Sequence, residues 1–201
     1  MSSEQSTVTA NAVELVERAF DTTNALLAAV PDDRWDASSP CGGWTVRQVG
    51  NHLVGSLAII EAYTREDAEA IAVAETDRET ERDLDGAHPA KAFGAAADSC
   101  LDAVSAFGAL DREVPFVIGE VPGVFLTRVC LLESLVHGWD VARGASTPYD
   151  ADGDVVDAVA VFAKEGPIEK RRTAGFFGPG LPVGPDAPAF TRLLALLGRQ
   201  A

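Results

Sequence analysis

The sequence predicts a mainly α-helical protein built around a bundle of four long helices. In four segments the apolar residues recur at steps of three and four, the period of a helix that buries one face. Of the 201 residues, 47% are hydrophobic, which is enough to fill the core of one domain. Glycine and proline collect between the segments, so we expect separate helices that pack side by side.

The first two helices have clear sequence boundaries. The first pattern runs from Val8 to Val30 and is broken by Pro31. After a loop of small and turn-forming residues, Thr45 can cap a second helix that runs to about Arg65. The polar stretch "TREDAEAIAVAETDRETERD" is then either the solvated end of this helix or a further short helix before a loop.

The other two bundle helices flank a connector. The third helix is expected from about Ala87 to Leu110. The segment "REVPFVIGEVPG" combines two prolines with β-branched residues, which predicts an extended or turn-like connection. A fourth helix should run from Gly123 to Arg143 and end before Gly144, because glycine commonly follows the last helical residue.

Residues 151–201 are expected to form an extension beyond a bundle that spans residues 1–150. A helical pattern covers about Asp152 to Lys164. The stretch "GFFGPGLPVGPDAPAF" is too rich in glycine and proline for a long helix, so short extended segments are expected there. A short helix from about Ala189 to Leu197 follows. We expect this Gly/Pro-rich extension to cap the bundle.

The strongly acidic composition of the chain disfavours anionic partners. The net charge of -15 disfavours binding to nucleic acid and to anionic membrane surfaces. No apolar run is long enough for a membrane span, and the first residues lack the features of a secretory signal. Three scattered cysteines without a CxxC pair favour a reduced, cytoplasmic protein. The sequence leaves the oligomeric state open, with a homodimer as one alternative.

Two of the three histidines, His52 and His137, lie inside apolar helical patterns. Glu133 precedes His137 by one helical turn, so both side chains lie on one face. Helical bundles build metal sites from such inward side chains, and His52 offers a third ligand from another helix. A His/Glu/His set leaves coordination positions for water or substrate. The alternative is a metal-free Glu133–His137 hydrogen bond in the core, and spacing does not decide between the two.

Three further residues are candidates for catalysis. Asp140 follows His137 by three positions and can orient it, join the metal shell or pair with Arg143; the ion pair is favoured. Arg143 and Arg47 are candidates for binding a substrate carboxylate, although arginines on helices are mostly solvated.

The cysteines and aromatic residues near these patterns are expected to be structural. Cys41 precedes a helix N-terminus, where the pKa of a thiol can fall, but a loop role is favoured. Cys100 and Cys130 are predicted to be small core residues. Trp44 and Trp139 are expected to fill space.

Three blocks of sequence carry a family resemblance: "SPCGGWTVRQVGNHLVG", "ESLVHGWDVARG" and "FGPGLPVGPDAPAFTRLLALLGR". Together they resemble the mycothiol-dependent maleylpyruvate isomerase-like family, within the DinB-like metal-binding superfamily, over nearly the whole chain. The resemblance implies a DinB-like four-helix bundle with a divalent metal at one end of its core. It implies His52, Glu133 and His137 as the metal ligands.

The resemblance also implies a chemistry. Relatives use a low-molecular-weight thiol, mycothiol or bacillithiol, which the metal activates as thiolate for isomerase or S-transferase reactions on a small electrophilic substrate. Zinc is the first expectation for the metal, with nickel or another divalent ion as the alternative. A non-catalytic metal-binding or stress-related sensor protein of the same fold is the alternative function, so the resemblance does not decide whether the chain is an enzyme.

Overall fold

The computed structural model describes residues 3–79, 88–106, 108–165, 172, 173, 175 and 177–201. The chain divides into two compact units, residues 1–150 and 151–201. Within the described residues, no helix is both long and apolar enough to cross a membrane.

The first unit is a four-helix bundle, as the sequence predicts. Its helices are α1 (Ser3–Ala29), α2 (Val46–Arg65), α4 (Pro89–Ser105) and α5 (Gly123–Ala145). Both α1 and α2 pack against α4 and α5, so α1 and α2 occupy opposite corners of the bundle. A single 3-10 turn (Asp32–Arg34) follows α1, and the short helix α3 (Ala68–Glu79) packs on α2.

The second helix begins where the sequence predicts. The Thr45 hydroxyl accepts a hydrogen bond from the Gln48 backbone N–H, and the Gln48 side chain accepts one from the Thr45 N–H. This reciprocal arrangement satisfies two of the backbone donors that a helix leaves unpaired at its start. The helix ends as Glu66 enters the left-handed region, and α3 starts soon after, so the polar stretch contains a separate short helix.

The third bundle helix is shorter than predicted. It starts at Pro89, preceded by exposed His88, whose ring nitrogen accepts a hydrogen bond from the Ala90 N–H. The predicted start at Ala87 lies outside the described residues. The helix ends at Ser105 rather than Leu110, because Ala106 turns to an extended conformation.

The connector is a β-hairpin. Strand β1 (Glu113–Phe116) pairs antiparallel with β2 (Gly119–Pro122), and Phe116 lies opposite Gly119 beside a two-residue turn. Gly119 has a φ of +110°, a backbone conformation that favours glycine. The apolar and β-branched residues of the segment therefore form a short sheet against the bundle, contacting α2 and α5.

The predicted end of the fourth helix is wrong. Helix α5 continues through Gly144 to Ala145, and Ser146, with a φ of +58°, takes the left-handed position that ends it. Gly144 has another role: a Cβ there would lie 2.7 Å from Val46 Cγ2 and 2.9 Å from the Ser38 carbonyl oxygen. The glycine allows the loop before α2 to pass against α5.

In the second unit, helix α6 (Gly153–Glu165) contacts helix α7 (Ala189–Leu196). Residues 178–184 lack helix and strand, and the Leu181 N–H donates to the Ala195 carbonyl. The helix bounds agree with the sequence prediction to within one residue. The capping role of this unit stays a prediction.

Candidate metal centre

Two helices of the bundle bring the three implied ligands together. His52 lies on α2, and Glu133 and His137 lie on α5. His52 Nε2 is 3.1 Å from Glu133 Oε2, and His137 Nε2 is 3.5 Å from the same oxygen. The centroids of the two imidazole rings are 4.7 Å apart. These side chains are between 14 and 21% exposed, so solvent reaches the cluster.

The separations between these atoms fit the coordination shell of an ion. Ligand atoms about 2.0–2.1 Å from one ion lie about 2.8–3.4 Å from each other in octahedral or tetrahedral geometry. The distances of 3.1 and 3.5 Å to Glu133 Oε2 are close to that range. Two imidazoles and one carboxylate therefore fit a divalent ion and leave coordination positions open.

The hydrogen bonds available to His137 also favour a cation at this cluster. Its Nδ1 is 3.0 Å from Asp140 Oδ2, and its Nε2 faces Glu133 Oε2. A neutral imidazole carries one N–H, so a proton donated to Asp140 leaves a lone pair on Nε2 facing a carboxylate oxygen. That pair of acceptors needs either a second proton or a cation between them. A metal ion satisfies both atoms at once.

One ring nitrogen of His52 lacks a hydrogen-bond partner among the described residues. This atom, Nδ1, is buried. Buried polar atoms are normally paired, so this nitrogen is an exception within the cluster. The other ring nitrogen, Nε2, is directed at Glu133 Oε2.

Asp140 is placed differently from the sequence expectation. The favoured interpretation was an ion pair with Arg143, but the structure directs a carboxylate oxygen of Asp140 to His137 Nδ1 at 3.0 Å. Asp140 is fully buried, and Arg143 is exposed near the end of α5. A carboxylate that accepts a hydrogen bond from the far nitrogen of a ligand histidine fixes its tautomer and ring orientation. Asp140 therefore has the geometry of a residue that orients His137.

The loop before α2 supplies two further side chains to this region. The Ser39 N–H donates to the Trp44 carbonyl and the Trp44 N–H to the Cys41 carbonyl, which closes a tight loop with Gly43 at a φ of +83°. Cys41 is placed within 4.8 Å of the ligand atoms of His137 and Asp140. The sequence suggested a loop role for Cys41 and did not detect its proximity to α5.

Trp44 is not the space-filling residue that we expected. Its side chain is 37% exposed, and its ring centroid lies 5.0 Å from that of His52. Trp44 therefore places a partly exposed aromatic ring beside the candidate ligand His52. Nothing in the sequence separates this tryptophan from the wholly buried Trp35, because both sit in the same loop region.

Arg47, a candidate for binding a substrate carboxylate, pairs with a side chain of the loop before α2. Its Nε is 3.3 Å from Asp36 in an exposed ion pair, and its guanidinium carbon is 5.9 Å from the Trp35 ring centroid. Binding of a substrate carboxylate by Arg47 or by exposed Arg143 stays a prediction.

Ser56 is a site residue that sequence analysis missed. It lies one turn after His52 on α2, and its Oγ is 3.3 Å from His52 Nε2 and 3.4 Å from Glu133 Oε2. A serine within an apolar helix gives little signal, because its hydroxyl usually bonds to the backbone of the preceding turn. Only the spacing of four from His52 could have suggested it.

The remaining cysteines are core residues, as predicted. Cys100 and Cys130 are fully buried, with their sulfur atoms 3.9 Å apart. The hydrogen bond with Cys100 and burial in the core raise the pKa of the Cys130 thiol well above its usual range. The Cys130 thiol therefore stays protonated at neutral pH.

Comparisons with known proteins relate this chain to one family. The sequence profile of the mycothiol maleylpyruvate isomerase N-terminal domain matches residues 16–142. Two uncharacterized proteins of Mycobacterium tuberculosis, from strains CDC 1551 / Oshkosh and ATCC 25618 / H37Rv, are each 29% identical over 191 residues, covering 91% of this chain and 94% of their own length.

A solved structure gives the same fold. The crystal structure of the mycothiol-dependent maleylpyruvate isomerase matches with a TM-score of 0.59 and 18% identity, over 90% of this chain and 78% of that chain. At this identity the likeness establishes a shared, mainly helical fold. The profile covers more than half of the chain and includes His52, Glu133 and His137. The chain therefore belongs to the mycothiol maleylpyruvate isomerase family.

Proposed function

We propose that this protein binds a divalent metal ion through His52, Glu133 and His137 and uses it in a thiol-dependent isomerase or S-transferase reaction. The observation that carries the proposal is the convergence of both histidine Nε2 atoms on Glu133 Oε2, at 3.1 and 3.5 Å. Zinc is the expected ion, and the thiol is mycothiol or a similar small thiol, as family membership suggests. Imidazole and carboxylate ligands also accept nickel and other divalent ions.

The residues of the chain have separate tasks in this proposal. A bound divalent ion stabilises a coordinated thiol as thiolate, which is the nucleophilic form. Asp140 holds His137 in one tautomer by accepting its Nδ1–H. Trp44 presents an exposed aromatic face to an unsaturated or apolar part of the thiol or electrophile.

The proposed isomerase reaction returns the thiol unchanged. With an ion held by His52, Glu133 and His137, a bound thiolate would supply a nucleophile that adds reversibly to an activated double bond, whose electron pair the electron-withdrawing group of the substrate would accept. Loss of the same thiolate after rotation about the resulting single bond would restore the double bond in the other geometry. In an S-transferase reaction the new C–S bond is retained and the product takes up a proton.

A non-catalytic metal-binding protein is the alternative, because the same ligands would serve both. The accessibility of the ligands favours catalysis: they are partly exposed, and an exposed tryptophan flanks His52. A purely structural metal site is normally closed by a fourth protein ligand.

The first test is metal content. Wild type, H52A and H88A are purified, loaded with zinc, passed through a desalting column and analysed by inductively coupled plasma mass spectrometry. H88A is the matched control, since His88 is the third histidine and caps α4. We expect one ion per chain in wild type and H88A and loss of stoichiometric metal in H52A. Equal metal in H52A and H88A would show that the ligand assignment is wrong.

The second test separates the two functions. Cobalt-loaded protein is titrated with mycothiol while the ultraviolet absorption of a cobalt–thiolate bond is followed. A new band that saturates, together with mycothiol-dependent turnover of maleylpyruvate or another electrophile, supports the enzyme. A protein that holds cobalt but gives neither band nor turnover would be a metal-binding protein without this chemistry.

A further inference from the structure

The Ser56 hydroxyl lies against His52 and Glu133 instead of donating to the backbone carbonyl one helical turn earlier. Thr22, Thr23 and Thr64 donate to the carbonyl oxygen four residues earlier, which is the common arrangement for a hydroxyl in a helix. For Ser56, in contrast, the side-chain hydrogen bonds in the described part of the chain are to His52 and Glu133. Ser56 is also buried, so water does not readily replace these partners.

The identity of the ligand atoms fixes the direction of the Ser56 hydrogen bond. When His52 coordinates an ion through Nε2, the lone pair of that nitrogen is committed and cannot accept a proton from Ser56. Glu133 Oε2 is then the acceptor for the hydroxyl, at 3.4 Å. A carboxylate oxygen has two lone pairs, so Oε2 can accept from Ser56 and still bind an ion.

We propose that Ser56 is a positioning residue that holds Glu133 Oε2 in place as a single-oxygen ligand. The inference rests on the proposed function, because it concerns the same metal centre. A carboxylate that is free to rotate can bind an ion through both oxygens and occupy the position that the thiol requires. By engaging Oε2 from the α2 side, the hydroxyl opposes that rotation and keeps the position available.

The distance limits the size of the effect. Partners that orient a metal ligand typically contribute a factor of about 10–100 to metal affinity. The 3.4 Å separation between Ser56 Oγ and Glu133 Oε2 is longer than the O–H···O optimum of roughly 2.7–2.8 Å. We therefore expect the lower end of that range, about a tenfold loss of affinity when the hydroxyl is removed.

The experiment compares four proteins: wild type, S56A, S56T and S134A. S56T retains a hydroxyl. S134A is the matched control, because Ser134 is a fully buried serine next to Glu133 whose Oγ lacks a hydrogen-bond partner among the described residues. Metal-free proteins are titrated with zinc against a chromogenic chelator. The absorption spectra of the cobalt forms report the coordination number, and thermal melting of the metal-free forms controls for folding.

The inference predicts about tenfold weaker zinc binding in S56A, with S56T and S134A close to wild type. It also predicts a weaker visible cobalt spectrum in S56A, because cobalt absorbs less strongly as its coordination number rises. Wild-type zinc affinity and an unchanged cobalt spectrum in S56A would overturn the role of Ser56 and leave the proposed function intact. Failure of wild type itself to bind zinc or cobalt would overturn both.

Discussion

The substitution D140N tests whether the buried carboxylate supports the metal centre through His137. Asp140 is fully buried and its Oδ2 lies 3.0 Å from His137 Nδ1, so the carboxylate can accept the Nδ1–H and leave Nε2 free to coordinate. Asparagine has nearly the same shape but lacks the charge, and its amide nitrogen competes for the same position. Loss of the charge lowers the basicity of His137, and the competing amide nitrogen makes its ring orientation less fixed.

The magnitude follows from burial and distance. Outer partners of metal ligands contribute about 10–100-fold in affinity, and we expect a fully buried carboxyl group at hydrogen-bond distance to lie near the upper limit. We expect zinc affinity to fall by up to about 100-fold, or about 2.8 kcal/mol at 1.4 kcal/mol per decade.

The assay is competitive zinc titration of metal-free D140N against a chromogenic chelator. D36N is the control, because it also removes one carboxylate but from a side chain that is 86% exposed. We expect D36N to bind zinc like wild type, since exposed charges are screened by salt. A loss of affinity in D140N no larger than that in D36N would refute the orienting role of Asp140.

Two further predictions concern packing and thiol chemistry. G144A should lower the free energy of unfolding by about 1–3 kcal/mol, because its Cβ would lie 2.7 Å from Val46 Cγ2. The control G55A has open space around the new Cβ and should be neutral or stabilising by up to about 1 kcal/mol. Equal changes in the free energy of unfolding of both variants, measured in urea, would contradict this. Iodoacetamide at neutral pH should modify partly exposed Cys41 far faster than buried Cys130, whose raised pKa keeps it protonated. Similar labelling rates, measured by mass spectrometry of the native protein, would contradict this.

The helices were predictable where local signals determine them. The apolar period located all four bundle helices, and the reciprocal bonds of Thr45 and Gln48 explain why the start of α2 was correct. The end of α5 was predicted too early because a glycine near a helix end can either terminate the helix or allow close packing. Gly144 allows close packing against Val46 and Ser38, which lie about 100 residues earlier in the sequence, so no local signal reveals this contact.

The site was predictable only in part. Spacing placed Glu133 and His137 on one face of a helix and offered His52 as a third ligand from another helix, but it left the metal-free pair open. Family resemblance then implied all three residues as ligands. The sequence favours an ion pair of Asp140 with Arg143, but His137 and Arg143 are both three residues away and spacing does not show which of them the carboxylate faces. Ser56 was missed because its direction depends on the side chain of Glu133 across the helix interface.

The candidate ligands come from only two helices, and His52 and Glu133 are 81 residues apart in sequence. An ion held between them would act as a reversible cross-link that closes a long loop of the unfolded chain. Its binding energy would add to the free energy of unfolding by RT ln(1 + [ion]/Kd), about 2.7 kcal/mol when the free ion is at 100 times Kd. Metal supply in the cell would then determine how long each molecule survives proteolysis as well as whether its site is loaded.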